Sequence, residues 1–314
     1  MKTLSLKSFL RYTCNVNTNK RKVIVYIISV TLLLMLGISV GVVLVMVAGF
    51  APRRTVIIEV TDSFRKHRHV AHALGGIDGR IHTNSLEAFN LAYANGFRVF
   101  EVDLRLIGEE HNYLVAMHSI ETYNRFVGAN YNCETEVTLE NFLARKIYGK
   151  YTPLAWSDVA ELMANHKDIF MIIDGKYTTK ELVLRQYQIL VDEVIALGFY
   201  DTSIEYNQIL ERIVPYLFNQ QMFYWIESIH SFPEYIFAHY LMRPSFSSIV
   251  SFITNRRQIT AVAMSYRRIH STVFPNRLLD IGIVLYAHTI TSHTVSNRMQ
   301  RIGVHGMITP FFMP

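Results

Sequence analysis

Cysteine is almost missing from this chain of 314 residues, which holds only Cys14 and Cys133. Two thiols provide no disulfide framework, and no Cys/His spacing in the chain matches a zinc site. Acidic residues are absent from 1–22, a stretch that carries Lys2, Lys7, Arg11, Lys20, Arg21 and Lys22. Those six cations equal the whole net charge of +6, so the rest of the chain is electrically balanced. A balanced body lacks the basic footprint of a nucleic-acid binder, and no nucleic-acid partner is expected. Repeats and low-complexity tracts are also absent.

Charge of either sign is missing from 23–50, which includes Leu32-Leu33-Leu34-Met35-Leu36 and Val42-Val43-Leu44-Val45-Met46-Val47. About 20 apolar residues span a bilayer, so this run can cross one with some tilt. A secretory signal has an apolar core of only about 7–15 residues, which favours an uncleaved transmembrane helix. Ala48-Gly49-Phe50-Ala51 also passes for a cleavage site. Six cations before the run, against Arg53 and Arg54 after it, predict a cytoplasmic N-terminus and an extracytoplasmic body in a single-pass cell-membrane protein. Cys14 and Cys133 would then lie on opposite sides of the membrane. The expected organisation is a basic tail (1–22), an anchor (23–50), a linker (51–67) and a body (68–314).

The body is close to the size of a (β/α)₈ barrel, about 250 residues. Strands are predicted at 68–73, 99–106, 113–118, 168–174, 203–206, 222–227, 249–253, 260–265, 281–287 and 307–309. Helices are predicted at 84–95, 156–165 and 179–197. Asn84 and Glu87 suggest a capping box for the first, Gly96 its stop, and Gly198 the stop of the last. Strands alternating with helices point to an α/β fold with a parallel sheet, a TIM-type barrel preceded by one N-terminal transmembrane helix.

Within this pattern, Glu101 and Asp103 lie two apart on a strand and share a face. If that face is interior, two carboxylates require a cation. The alternation of 99–105 fits a half-solvated strand equally well. In an α/β barrel, chemistry gathers at the C-terminal ends of the strands. His72, Glu101, Asp103, His118, Asp174 and Lys176 all fall near such ends, as does His288. His67, His69 and Tyr266-Arg267-Arg268 read as surface groups.

The ordered set His72-Ala73-Leu74-Gly75, Asn84-Ser85-Leu86-Glu87-Ala88-Phe89, Glu101-Val102-Asp103, His118-Ser119, Asp174-Gly175-Lys176 and Gly303 to Pro310 resembles the glycerophosphodiester phosphodiesterase family of the phosphatidylinositol-phospholipase-C-like superfamily. The resemblance spans about 68–310. It implies a phosphoric diester hydrolase with His72 and His118 as acid/base pair. It further implies Glu101, Asp103 and Asp174 as ligands of a divalent cation, Mg²⁺ or Ca²⁺, and Lys176 against a phosphoryl oxygen. The implied substrate is a glycerophosphodiester, a phospholipid head group or an envelope phosphodiester polymer. The chain departs from the pattern at Ala73 (usually Arg), Thr83 (Glu), Ser119 (Asp) and Asp174 (Glu). Arg80, in the loop Gly75-Gly76-Ile77-Asp78-Gly79-Arg80, is the expected substitute for the missing guanidinium. The alternative is a barrel that binds a phosphorylated envelope ligand without turnover.

Overall fold

The computed structural model describes residues 26–35, 63–238 and 246–311. The predicted tail lies outside the described residues, as do most of the anchor and most of the linker. Within the anchor, 26–35 is helical. No helix among the described residues is long and apolar enough to cross a membrane.

The body closes eight parallel strands into a barrel. These are β1 (His69–Ala71), β2 (Val99–Ile107), β4 (Phe170–Asp174), β5 (Ile213–Leu217), β6 (Tyr235–Ala238), β7 (Ile259–Ser265), β8 (Val284–His288) and β9 (Gly306–Thr309). Each pairs with the next around the ring, and β1 pairs with both β9 and β2, so no barrel edge is left open. Burial on both faces explains why β5, β6 and β9 are buried at every position. Helices Leu86–Ala94, Trp156–Asn165, Lys180–Tyr200, Gln220–Glu227, Phe246–Thr254, Val273–Leu279 and His293–Arg301 are among those that follow the strands. Trp156 is fully buried, and its indole N–H donates to Leu190 O at 3.0 Å.

Several expectations are corrected. The segments predicted as strands at 222–227 and 249–253 belong to helices Gln220–Glu227 and Phe246–Thr254, and 203–206 leads into the short helix Tyr206–Leu210. The strands that fill those places in the barrel are β5 and β6. The segment Tyr113–Ala116 is a strand, β3, but not a barrel strand. It pairs antiparallel with the far half of β2, from Leu104↔Ala116 to Ile107↔Tyr113. The long helix does not stop at Gly198 but continues to Tyr200. Phe64, placed in the linker by sequence, is fully buried and stacks on Tyr286 with ring centroids 5.7 Å apart.

Candidate active site

Register does most of the assembly. In the β2–β4 pair, Asp103 lies directly beside Asp174, and Glu101 sits two residues earlier on β2. The three carboxylates are buried, and one oxygen from each lies within 4.8 Å of the others. The half-solvated reading of β2 is therefore excluded: Val99 to Leu104 is buried without a break. Lys176, two residues past β4 with φ +53°, turns back to pair with Asp103 Oδ1 at 2.6 Å and with Asp174.

His72 arrives from the end of β1, whose Ala71 pairs with Phe100. It opens a tight turn in which Ala73, Leu74 and Gly75 have φ of +52°, +62° and +111°. The turn aims the Ala73 N–H at Glu101 Oε2, 3.0 Å away, and His72 Nε2 lies 3.8 Å from the same oxygen. Glycine is required at 75, where a Cβ would meet Ala92 Cβ at 2.8 Å and Ala88 O at 3.2 Å. The Gly76 N–H donates to Pro310 O at 2.7 Å, so the first and last segments of the sequence pattern meet.

His118 reaches the site by another route. The antiparallel extension of β2 and β3 ends with Met117 N–H donating to Asp103 O at 2.9 Å, which sets His118 beside Asp103. Arg105 Nε donates to His118 O at 3.3 Å. Ser119, in place of the usual Asp, caps the helix Ile120–Val127 by accepting from Thr122 N–H.

Two sequence-derived roles change. Asn84 does not cap a helix. Ser85 does, accepting from Ala88 N–H, while Glu87 binds the Thr152 N–H and hydroxyl at 2.7 and 2.8 Å. Asn84, fully buried, donates from Nδ2 to Asp103 Oδ2 at 2.8 Å and accepts the Asp103 N–H at 3.1 Å. Arg80 lies in a hairpin of the loop that follows β1. Asp78 and Gly79, both at positive φ, make the hairpin turn Ile77–Arg80, and the exposed Arg80 guanidinium lies 3.7 Å above the Tyr148 ring.

Sequence reasoning missed His82. It lies in the loop between β1 and the first helix, and its ring centroid is 4.8 Å from that of His72 and 4.4 Å from that of His118. The available signal was its place in a βα loop immediately before Thr83-Asn84-Ser85. Tyr216 was missed with its strand. It follows Pro215, which pairs with Ile173 next to Asp174, and burial first, then the Glu101, Asp174 and Asp103 carboxylates, push its hydroxyl pKa well up. His288 ends β8 as expected and is pushed down to about 4 by burial and then by Lys176.

Burial and charge divide the groups of the cluster. Burial, followed by Asp103 and Asp174, raises the Glu101 carboxyl well above its usual range. Burial alone would raise Asp103 too, but the Lys176 ammonium leads the contacts that hold it well below. Burial would lower Lys176, yet Asp103, Asp174 and Glu101 raise it overall. Burial takes His72 down to about 3 and lowers His118 less far. Asp174 Oδ1 is buried and makes no hydrogen bond.

The sequence matches no family model and no curated protein. Solved structures of similar fold exist. A Galdieria sulphuraria protein assigned to the glycerophosphodiester phosphodiesterases is 15% identical with a TM-score of 0.62, over 77% of this chain and 92% of that one. A glycerophosphodiester phosphodiesterase from Thermotoga maritima is 18% identical at 0.56, over 77% and 94%. A phosphodiesterase from Oleispira antarctica, solved with its product sn-glycerol-3-phosphate, is 11% identical at 0.59, over 78% and 93%. At these identities the likeness establishes a shared fold.

Proposed function

We propose that this chain is a metal-dependent phosphoric diester hydrolase of the glycerophosphodiester phosphodiesterase family, anchored by 23–50 with its barrel outside the cytoplasm. One observation carries the reading: three buried carboxylates converge within 4.8 Å at a barrel mouth that also holds His72, His118 and Lys176. The fold shared with solved phosphodiesterases supports it.

The residues fit a divalent cation. Glu101, Asp103 and Asp174 present oxygens to one point, and the buried Asp174 Oδ1 has no hydrogen bond to satisfy it. An all-oxygen set suits Mg²⁺ or Ca²⁺. Such a cation, when bound, stabilises the charge that develops on the phosphoryl oxygens. Lys176, paired with two of the carboxylates, is held ready to neutralise one of those oxygens. His72 is kept neutral by burial, which suits it to take the proton from the attacking hydroxyl or water. His118, half-buried and open to reprotonation from solvent, protonates the leaving alkoxide. The substrate class is a glycerophosphodiester, a phospholipid head group or an envelope phosphodiester polymer, and an anchor favours substrates near the membrane surface.

The test is a divalent-dependent assay of the full-length protein, purified in detergent, against a panel of phosphodiesters. Turnover is expected to fall roughly 10²–10⁴-fold in His72→Ala and in Glu101→Ala. Activity retained in both variants would refute the reading. Removal of 1–50 is expected to release the protein from the membrane fraction; a membrane-bound remainder would refute the anchor.

A second reading is a barrel that binds a phosphorylated envelope ligand without turnover. It is favoured by the Lys176 ammonium, which already bonds two of the three carboxylates, and by the loss of Arg at Ala73. Titration with Mg²⁺ and Ca²⁺ separates the two: a folded protein that binds neither, and cleaves nothing, is the binder.

A further inference from the structure

We propose that His82 is a substrate-binding residue, an imidazole that holds a non-bridging phosphoryl oxygen between the rings of His72 and His118. The inference rests on the phosphodiesterase reading above and adds a contact that sequence did not supply.

The geometry argues for it in three steps. First, the His82 ring lies against both others, at 4.8 Å from His72 with planes 75° apart and at 4.4 Å from His118 with planes 55° apart. In phosphoryl transfer the attacking and leaving oxygens stand roughly in line through phosphorus. If His72 and His118 serve those two oxygens, the side chain between them faces the remaining, non-bridging ones. His82 is that side chain, and it stays one-quarter exposed, so a ligand can reach it.

Second, Asp103 has nearer partners than His82. The His82 Nδ1 lies 3.9 Å from Asp103 Oδ2, where it adds to the groups that hold that carboxyl down, but Lys176 comes before it, pairing with the other oxygen, and Asn84 donates to Oδ2 at 2.8 Å. The buried Nδ1 of His82 makes no hydrogen bond.

Third, the site is short of a donor. Position 73 carries a methyl group, Lys176 is shared between two carboxylates, and Arg80 stacks on Tyr148. His82 stands in the same β1-to-helix loop as Ala73 and Arg80, at φ +62°. A non-glycine residue in that region is strained and persists where the surroundings, often those of a functional site, over-determine it. An imidazole N–H donating to a phosphoryl oxygen supplies a charge-assisted hydrogen bond there.

The experiment uses full-length protein in detergent with the cation that supports turnover. His82→Gly removes the ring while tolerating the positive φ, and His82→Asn keeps a donor in a residue that also tolerates it. For His82→Gly, KM for the best diester is expected to rise about 10-fold or more, with a smaller change in kcat. Affinity for sn-glycerol 3-phosphate should weaken in parallel, while cation affinity stays within about 2-fold. His82→Asn should recover much of the loss. Unchanged KM and product affinity in His82→Gly would overturn the proposal. So would a parallel fall of kcat and cation affinity at constant KM, which would make His82 a support for Asp103. If the wild-type protein turns over no diester, the enzyme reading fails, and glycerol phosphate titration alone decides. Weaker binding in His82→Gly then sustains His82 as a phosphate contact; equal binding, or none in either protein, overturns it.

Discussion

Asp103 carries more of the site than any other residue. Its N–H and Oδ2 are both engaged by Asn84, its Oδ1 by Lys176, and its carbonyl by the Met117 N–H that sets His118 in place. Asn84 is the quieter half of this arrangement, at φ +46°, a conformation asparagine tolerates better than most residues. Groups that orient a metal ligand are worth about 10–100-fold in metal affinity. Asn84→Gly, which accepts the same backbone, is therefore expected to weaken Mg²⁺ or Ca²⁺ binding by that factor and to lower stability by about 1–3 kcal/mol, because the buried Asp103 N–H loses its partner. Calorimetric titration checks it, and unchanged affinity would remove Asn84 from the site. The carboxylates and two of the histidines were legible in the sequence because their spacing on strand ends is local information. The role of Asn84 was not, because a polar residue before a helix reads equally well as a cap. His82 was not because nothing local distinguishes an imidazole facing two others from one facing water.

At the scale of elements, legibility followed the strength of the local pattern. β2, β4, β7, β8 and the helices Trp156–Asn165 and Lys180–Tyr200 stand close to where periodicity placed them. β5 was passed over because Pro215 interrupts Ile213–Leu217, although the ladder there pairs Pro215 with Ile173. Met222 to Glu227 and Ile249 to Ile253 are rich in aromatic and branched residues and read as strands, yet both are helices with one face packed on the barrel. Intrinsic preference is a weak prior that packing overrides. β3 shows the opposite case. Its strand character was plain, but its antiparallel partner was not, and that pairing is what carries His118 to Asp103.

For the whole molecule, closure of the barrel takes ionisable groups out of water, and stability inherits their titration. His288 and His72 have folded pKa values of about 4 and about 3, below the ordinary 6.5. Between those values and 6.5 the unfolded chain binds protons that the folded chain refuses. Their contribution is therefore full above pH 6.5 and is lost as pH falls, by on the order of 2 kcal/mol for His288 between pH 7.5 and 5. Urea midpoints of the metal-free protein should fall over that range, and less steeply in His288→Gln. An equal slope in the variant would contradict the buried, neutral state of His288. What the sequence determined by itself is the alternating α/β pattern at its strongest elements, the uncharged segment at 23–50, and the residues that end β1, β2, β4 and β8, all properties set by neighbours along the chain. Only the tertiary structure decided that Glu101 and Asp103 face a dry interior, that Asp174 stands beside Asp103, that Arg80 stacks on Tyr148 and that His82 lies against His72 and His118. Those outcomes depend on strand register and on loop backbone at positive φ, and both arise only when distant segments pair and close the ring.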